Sequence, residues 1–299
     1  SLLNSSEFSV KGVFTQPDRR AGRGRKFCCP PVKLLASEYG VEVFQPERIR
    51  GNREASGIME ALQPDLAVVV AYGQILPEDF YTIPRLDTVN VHASLLPSYR
   101  GASPIVGAIL NGEAVTGVSI MKIDRGMDTG DVLSMREVPL PRDATAGLME
   151  TVLAETGARL LVDTVPGYAR GEIIPVPQDH AAATYAPKLS KSDEMIDWNR
   201  PAERIHNQIR AMNPRPGAMT CFRKRSAELK VWKSLAEERC LPRSAAPGTI
   251  VSIDEAGLAV ACGDSNTLTV QEVQLCGRTR ITAADFVNGC GAVVGDILG

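Results

Sequence analysis

Apolar residues follow two different rhythms along the chain. Up to about residue 170, short β-branched runs alternate with longer stretches of helical spacing. Residues 10–16 read as a buried strand closed by the turn Gln16-Pro17-Asp18, and residues 41–44 as a second short strand. The run at 66–71 is short, continuous and apolar, the pattern of a parallel strand covered on both faces. Strands recur at 88–92 and 117–123. Between them lie helical stretches at 30–36, 52–62 and 103–110, and a longer one follows at 148–165. The first opens on Pro30-Pro31, which a helix tolerates in its first turn. Such alternation predicts an α/β sheet with right-handed crossovers.

Beyond residue 170 the rhythm changes. Residues 180–193 make a polar connector and 202–212 a last amphipathic helix. Short strand-like pieces then follow at 229–232, 248–251, 258–261 and 268–270, separated by turns, as in a small barrel of the OB type. The predicted architecture is a Rossmann-like α/β domain with a parallel sheet over residues 1–180, a linker over 181–199, and an OB-like β-barrel domain over 200–299.

Composition narrows this picture without changing it. The 299 residues are 44% hydrophobic and 23% charged, with a net charge of -2, which suits a globular protein of two domains. The longest apolar run, 66–72, is too short to span a bilayer. The first six residues lack the basic flank and cleavage pattern of a signal peptide, so a cytoplasmic location is expected. Seven scattered cysteines fit reduced thiols better than a disulfide framework. No metal is expected, because no C-x-x-C pair occurs and His92, His180 and His206 are far apart in sequence. Two local charge biases stand out. Arg19, Arg20, Arg23, Arg25, Lys26 and Lys33 occur with no acid among them, and Arg215, Arg223, Lys224, Arg225, Lys230 and Lys233 form a second set. Basic clusters are most often solvated faces, but two in an otherwise balanced chain point to a phosphate-rich partner.

The candidate chemistry sits at strand ends. Side chains alternate along a strand, so in Val89-Asn90-Val91-His92 the amide and the imidazole project to one side. The strand stops at Ala93-Ser94-Leu95-Leu96-Pro97, which places both groups at the carboxyl edge of the sheet, where open α/β sheets take ligands. A polar strand end is more often a structural cap. Yet an amide that can hold a developing oxyanion beside an imidazole that can move a proton is what acyl transfer requires. The loop Asp124-Arg125-Gly126-Met127-Asp128-Thr129-Gly130-Asp131 also follows a strand directly. Its acids either cap the loop's own amides or supply a carboxylate that orients the imidazole. No dinucleotide fingerprint, P-loop, nucleophile elbow or zinc-protease motif is present.

Asn90-x-His92, then Ser94-Leu95-Leu96-Pro97-Ser98-Tyr99-Arg100-Gly101, then Asp124-x-Gly126-x-Asp128-Thr129-Gly130-Asp131 resemble the signature of the 10-formyltetrahydrofolate-dependent formyltransferases. Phe14-Thr15-Gln16-Pro17-Asp18-Arg19, Ala21-Gly22-Arg23-Gly24, Leu189-Ser190-Lys191 with Ile196-Asp197-Trp198, and Pro247-Gly248-Thr249-Ile250 are similar to the methionyl-tRNA formyltransferases within that family. The sugar-amine formyltransferases are the nearest rivals, but the basic Gly/Arg loop and the complete C-terminal pattern favour tRNA. The resemblance implies that Asn90, His92 and Asp128 are catalytic and that Ser94, Leu95, Leu96 and Pro97 contact the folate. It also implies that Arg23, with Arg25 and Lys26 beside it, reaches the acceptor end of initiator methionyl-tRNA. In the implied reaction the methionine amine attacks the formyl carbon of 10-formyltetrahydrofolate. Asn90 and a protonated His92 steady the oxyanion, and Asp128 orients His92. A monomer is expected, with no metal and no membrane partner. One departure stands at the start. Family members open with an apolar strand, a tight turn and a helix, whereas Leu2-Leu3-Asn4-Ser5-Ser6 resembles only that helix's tail. The chain is therefore expected to lack the first strand. This leaves two alternatives: a transferase acting on a sugar amine, or a folate- or RNA-binding remnant disabled by the loss.

Overall fold

The computed structural model describes residues 1–21, 26–237 and 245–299. Two compact units share the chain by interleaving. Ser1–Arg100, Gly117–Glu137 and Leu153–Thr184 form one; Gly101–Thr116, Val138–Val152 and Tyr185–Gly299 form the other.

A single 3-10 turn, Leu2–Asn4, precedes β1 (Val13–Phe14), β2 (Arg19–Ala21), β3 (Lys26–Cys28), α1 (Pro31–Glu38) and β4 (Val43–Phe44). Next come α2 (Arg53–Leu62), β5 (Leu66–Val69), α3 (Glu78–Tyr81), β6 (Asp87–His92), α4 (Pro104–Asn111), β7 (Val115–Lys122), β8 (Val132–Pro139) and α5 (Ala146–Ala169). Local signals explain the ends of α2: the Asn52 side chain accepts from the Ala55 amide at 3.1 Å, and Gln63 closes the helix in a left-handed conformation.

The expected sheet is divided. β1 and β4 pair in parallel, Phe14 opposite Phe44, as a ladder of their own. A separate four-stranded sheet runs β5-β6-β7-β8. Among the described residues no strand joins β1 to β5, although both flank one cluster: Phe14, Ala67 and Tyr72 pack against Ile49, Ala55, Met59 and Phe80. β5 therefore does not have the double cover its apolar run predicts. Its four residues are partly exposed and Val70 beyond it is exposed; among the described residues only β6 pairs with it. The sheet is also mixed, with β5 and β6 parallel and β6 and β7 antiparallel. The helix between β6 and β7 belongs to the second unit, where α4 packs on α6.

Helix α5 outruns its expected end at residue 165 and passes through Pro166 to Ala169. The proline forfeits one backbone bond, but the turns beyond it are kept, with the Arg170 amide donating to the Pro166 carbonyl at 3.1 Å. Tyr168 in this last turn donates to the Asp87 carboxylate, which Lys122 also reaches at 3.1 Å. Gly157 lets α5 lie directly on the sheet, since a Cβ there would meet Val91 and Val118.

The second unit continues with α6 (Ala202–Ala211), β9 (Ala218–Phe222), β10 (Ala227–Glu237), β11 (Ile250–Asp254), β12 (Gly257–Ala261), β13 (Thr267–Leu275), β14 (Ile281–Thr282) and α7 (Ala283–Cys290). The strand order β11-β12-β13-β10-β9 leaves two edges, and the end of the chain joins them. Leu298 bridges to Phe222 and Ile297 to Thr249, so the sheet closes into the expected OB-like barrel. Phe222, Leu229, Val260, Val270 and Phe286 fill it, the two phenyl rings meeting edge-on at 5.2 Å. Several residues of the second basic set are spent on the unit itself. Lys224 donates to the Gly291 carbonyl at 2.6 Å, Arg223 to that of Gly299, and Lys230 to that of Pro216.

No helix among the described residues is long and apolar enough to cross a membrane. Six described cysteines carry free thiols, and burial pushes that of Cys262 up to about 12.

Candidate active site

Strand β6 positions the first two groups. Asn90 pairs with Met121 and His92 with Ser119 across the ladder to β7, which fixes both side chains on one face of the sheet. The Asn90 amide is partly exposed and has no side-chain partner among the described residues. The His92 ring is 5% exposed. Its Nε2 lies 3.0 Å from the Tyr99 carbonyl, which can only accept, so Nε2 carries the hydrogen and Nδ1 is left for the opposite side.

On that side stands Asp128, with Oδ2 3.7 Å from Nδ1. This is an ion-pair distance, longer than a direct hydrogen bond. Asp128 adopts a positive φ of 53°, a conformation that L residues rarely occupy. The loop around it sorts its acids into the two uses that the sequence left open. Asp124 staples the loop, accepting from the Gly126 amide at 3.0 Å and the Thr129 hydroxyl at 2.6 Å. Arg125 turns outward to Glu78 in a two-pronged pair, with both bonds at 2.8 Å. Asp128 alone is directed at His92. Gly130 is required because a Cβ there would run into the Lys122 carbonyl.

The expected folate segment is a self-bonded turn. Ser94 is fully buried and its hydroxyl donates to the Ser98 carbonyl at 2.6 Å. The Ser119 hydroxyl, buried beneath it, donates to the Ser94 carbonyl at 2.7 Å and accepts from the Leu96 amide at 3.0 Å. Leu96 packs with Met121 and Val132. Leu95 and Pro97 keep partly exposed edges, so these two present apolar surface while Ser94 and Leu96 shape the turn. A free amide, an imidazole with a carboxylate behind it, and two apolar edges suit a formyl donor carried on a flat heterocycle. Of the expected RNA contacts, Arg23 and Arg25 lie outside the described residues, as does the side chain of Lys26.

Four further residues bear on the site. The Tyr99 carbonyl holds His92, and Thr184 braces the same segment by accepting from the Tyr99 amide at 2.8 Å. Buried Arg100 and Gln178 complete the set. A cavity of about 580 Å³ in the second unit, bordered by Asp193, Arg200, Arg204 and Gln208, contains none of these groups.

Comparison with known proteins decides which acyl transfer this is. The formyl transferase domain matches residues 2–165, and the formyl transferase C-terminal domain residues 188–291. A methionyl-tRNA formyltransferase of Dictyoglomus turgidum is 44% identical over 98% of this chain and 92% of its own length. One from Symbiobacterium thermophilum is 47% identical over 98% and 89%. The chain belongs to the methionyl-tRNA formyltransferase family. Its chemistry is formyl transfer, with 10-formyltetrahydrofolate as the donor. The chain also shares its fold with more distant proteins. HypX of Aquifex aeolicus, solved with tetrahydrofolic acid, superposes with a TM-score of 0.62 at 18% identity, over 88% of this chain and 45% of its own.

Proposed function

We propose that this chain formylates the α-amino group of methionine on initiator methionyl-tRNA, with Asn90, His92 and Asp128 at the reacting atoms. The observation that carries the proposal is the convergence, at one sheet edge, of an amide with no side-chain partner among the described residues, a buried imidazole and a carboxylate 3.7 Å from its Nδ1. Asn90 donates to the formyl oxygen as that oxygen gains charge. His92, its Nε2 held by Tyr99, keeps Nδ1 and the Asp128 carboxylate as the proton-handling side. A bond forms between the methionine nitrogen and the formyl carbon, the bond from that carbon to N10 breaks, and the proton passes from the amine to N10 through His92 and Asp128. Leu95 and Pro97 supply apolar edges for the folate ring. No covalent bond to the protein is needed.

The tRNA reading rests on the names of relatives more than 40% identical and on the basic segment 19–33. That segment begins and ends as a two-stranded ribbon, β2 with β3, in which Arg20 lies 5.1 Å over the Phe27 ring. We assign its RNA contacts to Arg23, Arg25 and Lys26, a supporting role to residues 200–299, and a monomeric state in the cytoplasm to the whole chain. The test is single-turnover formyl transfer with two acceptors, initiator methionyl-tRNA and a nucleotide-linked amino sugar. Asn90→Ala and His92→Ala should each cost on the order of 100-fold or more with methionyl-tRNA. Transfer to the amino sugar alone would replace the proposal, and normal rates in both variants would remove the site assignment.

A further inference from the structure

We propose that Gln178, oriented by the buried Arg100, is a positioning residue for the reaction: its amide holds the Asp128 loop so that the carboxylate meets His92. This rests on the assignment of Asp128 and His92 above. Gln178 follows α5 by nine residues in an extended stretch, and the antiparallel bridge between Val132 and Val176 carries it alongside Gly130. There its Nε2 donates to the Gly130 carbonyl at 2.6 Å and to the Asp128 carbonyl at 3.0 Å. One is the carbonyl of Asp128 itself, whose φ is positive, and the other lies two residues further along the same loop.

Only one orientation of the Gln178 amide makes these bonds, and Arg100 selects it. The guanidinium, 1% exposed, sends Nε to Gln178 Oε1 at 3.1 Å and Nη2 to the same oxygen at 2.7 Å. A guanidinium can only donate, so it fixes oxygen on its own side and NH2 toward the loop. Arg100 Nη2 also lies 3.1 Å from His180 Nδ1. The Arg100 end of the pair is fixed in turn. The Arg100 amide donates to the Thr184 carbonyl at 2.9 Å, and Arg100 directly follows Tyr99, whose carbonyl holds His92. The pair is thus a crossbeam with the imidazole's anchor at one end and the carboxylate's loop at the other. With Nδ1 and Oδ2 3.7 Å apart, a small drift of either end changes whether a proton can pass.

A glutamate at 178 separates positioning from bulk support. Gln178→Glu keeps size, shape and both acceptor bonds to Arg100, but replaces the donor facing two carbonyls with an oxygen. Two unmet carbonyls lower the melting temperature, so the assay is run well below it, where the variant is fully folded. In the same variant kcat falls on the order of 10-fold to 100-fold, with KM for both substrates little changed. In an Asp128→Ala background, Gln178→Glu should then cost nothing further, because the two residues act as one unit. Should Gln178→Glu not fold, Gln178→Met removes the same two donors without adding charge and is read in the same way. A parental kcat, a loss fully additive with Asp128→Ala, or a loss that appears only as a raised KM overturns the proposal. Asp128→Ala with a full rate would overturn the site assignment and this inference together; Asp128→Ala inactive beside a fully active Gln178→Glu would overturn this inference alone.

Discussion

The two units hold their strands together in opposite ways. In the second, every barrel strand finds a neighbour, and the last bridge, from Leu298 to Phe222 and Ile297 to Thr249, closes the ring over one continuous apolar interior. In the first, the β1–β4 ladder and the β5–β8 sheet are separate, and apolar residues between them remain partly exposed. The candidate chemistry belongs to the first unit, at the end of β6, where β5 and β7 pair on either side. The difference is one of closure against local order: in the first unit the proposed groups are held by contacts close to them. Asn90, His92 and Asp128 are fixed by ladder pairs, a stapled loop and the Arg100–Gln178 pair, none of which involves β1.

This contrast can be tested by mutation. The largest effect is expected from Phe222→Ala, at a fully buried ring packed edge-on against Phe286: a loss of about 3–5 kcal/mol. Phe14→Ala removes a partly exposed ring that meets Phe44 at 5.1 Å and Phe80 at 5.7 Å, and should cost less, about 1–3 kcal/mol. Both tryptophans, Trp198 and Trp232, lie in the second unit, so their fluorescence follows it selectively while circular dichroism follows both units. Equal losses, or a Phe14→Ala transition seen first in fluorescence, would remove the distinction.

A middling, pH-dependent effect is expected at His206. Burial holds its pKa below the ordinary 6.5, against the opposing pull of Glu203 and Asp143 and with the cation Arg210 adding to the depression. Its Nδ1 faces the Ser234 hydroxyl at 3.1 Å and its Nε2 the Arg142 carbonyl at 3.3 Å. The folded chain keeps the ring neutral while the unfolded chain protonates it, so the unfolded state binds more protons between the two pKa values. Its contribution to stability is therefore present above pH 6.5 and is lost as pH falls through the window beneath it. The slope of melting temperature between about pH 7.5 and 5 should flatten in His206→Asn; an unchanged slope would assign the effect elsewhere.

The smallest effect on stability belongs to Asp18. Its carboxyl, held below the usual range by Gln45 and Lys33, accepts from Gln45 and Lys33 at 2.7 Å each and ties down the base of the β2–β3 ribbon. Asp18→Ala should speed amide exchange at Arg19 and Cys28 with almost no change in melting temperature. A fall as large as that of Phe14→Ala would make the residue a core support.

Periodicity and turn chemistry made much of this legible. The alternation in Val89-Asn90-Val91-His92 fixed which side chains share a face, and the Gly126 to Gly130 turn announced a loop at the same edge. The spacing alone left Asp124 and Asp128 undivided and only the family resemblance pointed to Asp128, because which acid caps its own loop depends on the backbone conformation there. Gln178 had no signal at all: it lies 86 residues from His92 in a stretch without periodicity, and its meaning arises only from the bridge at Val176. Helix α5 passed its proline because later backbone bonds and the Tyr168 contact outweigh one lost N–H. The internal bonds of the second basic set were likewise not legible, since charge alone cannot say which nearby carbonyl a lysine reaches.

Arg210 bears on how such a chain can be inherited. It is 4% exposed, and its guanidinium reaches the carbonyls of Ile109 at 3.4 Å and Ala144 at 3.2 Å, contributed by two segments that leave the first unit and return to it. A recombination event that transplanted residues 200–299 as one block would bring the cation without those acceptors, leaving a charge poorly placed to stay buried. Residues 101–116 and 138–152 belong to the same compact unit as the barrel, so a transplant of 200–299 alone is expected to be less stable than one that carries all three segments.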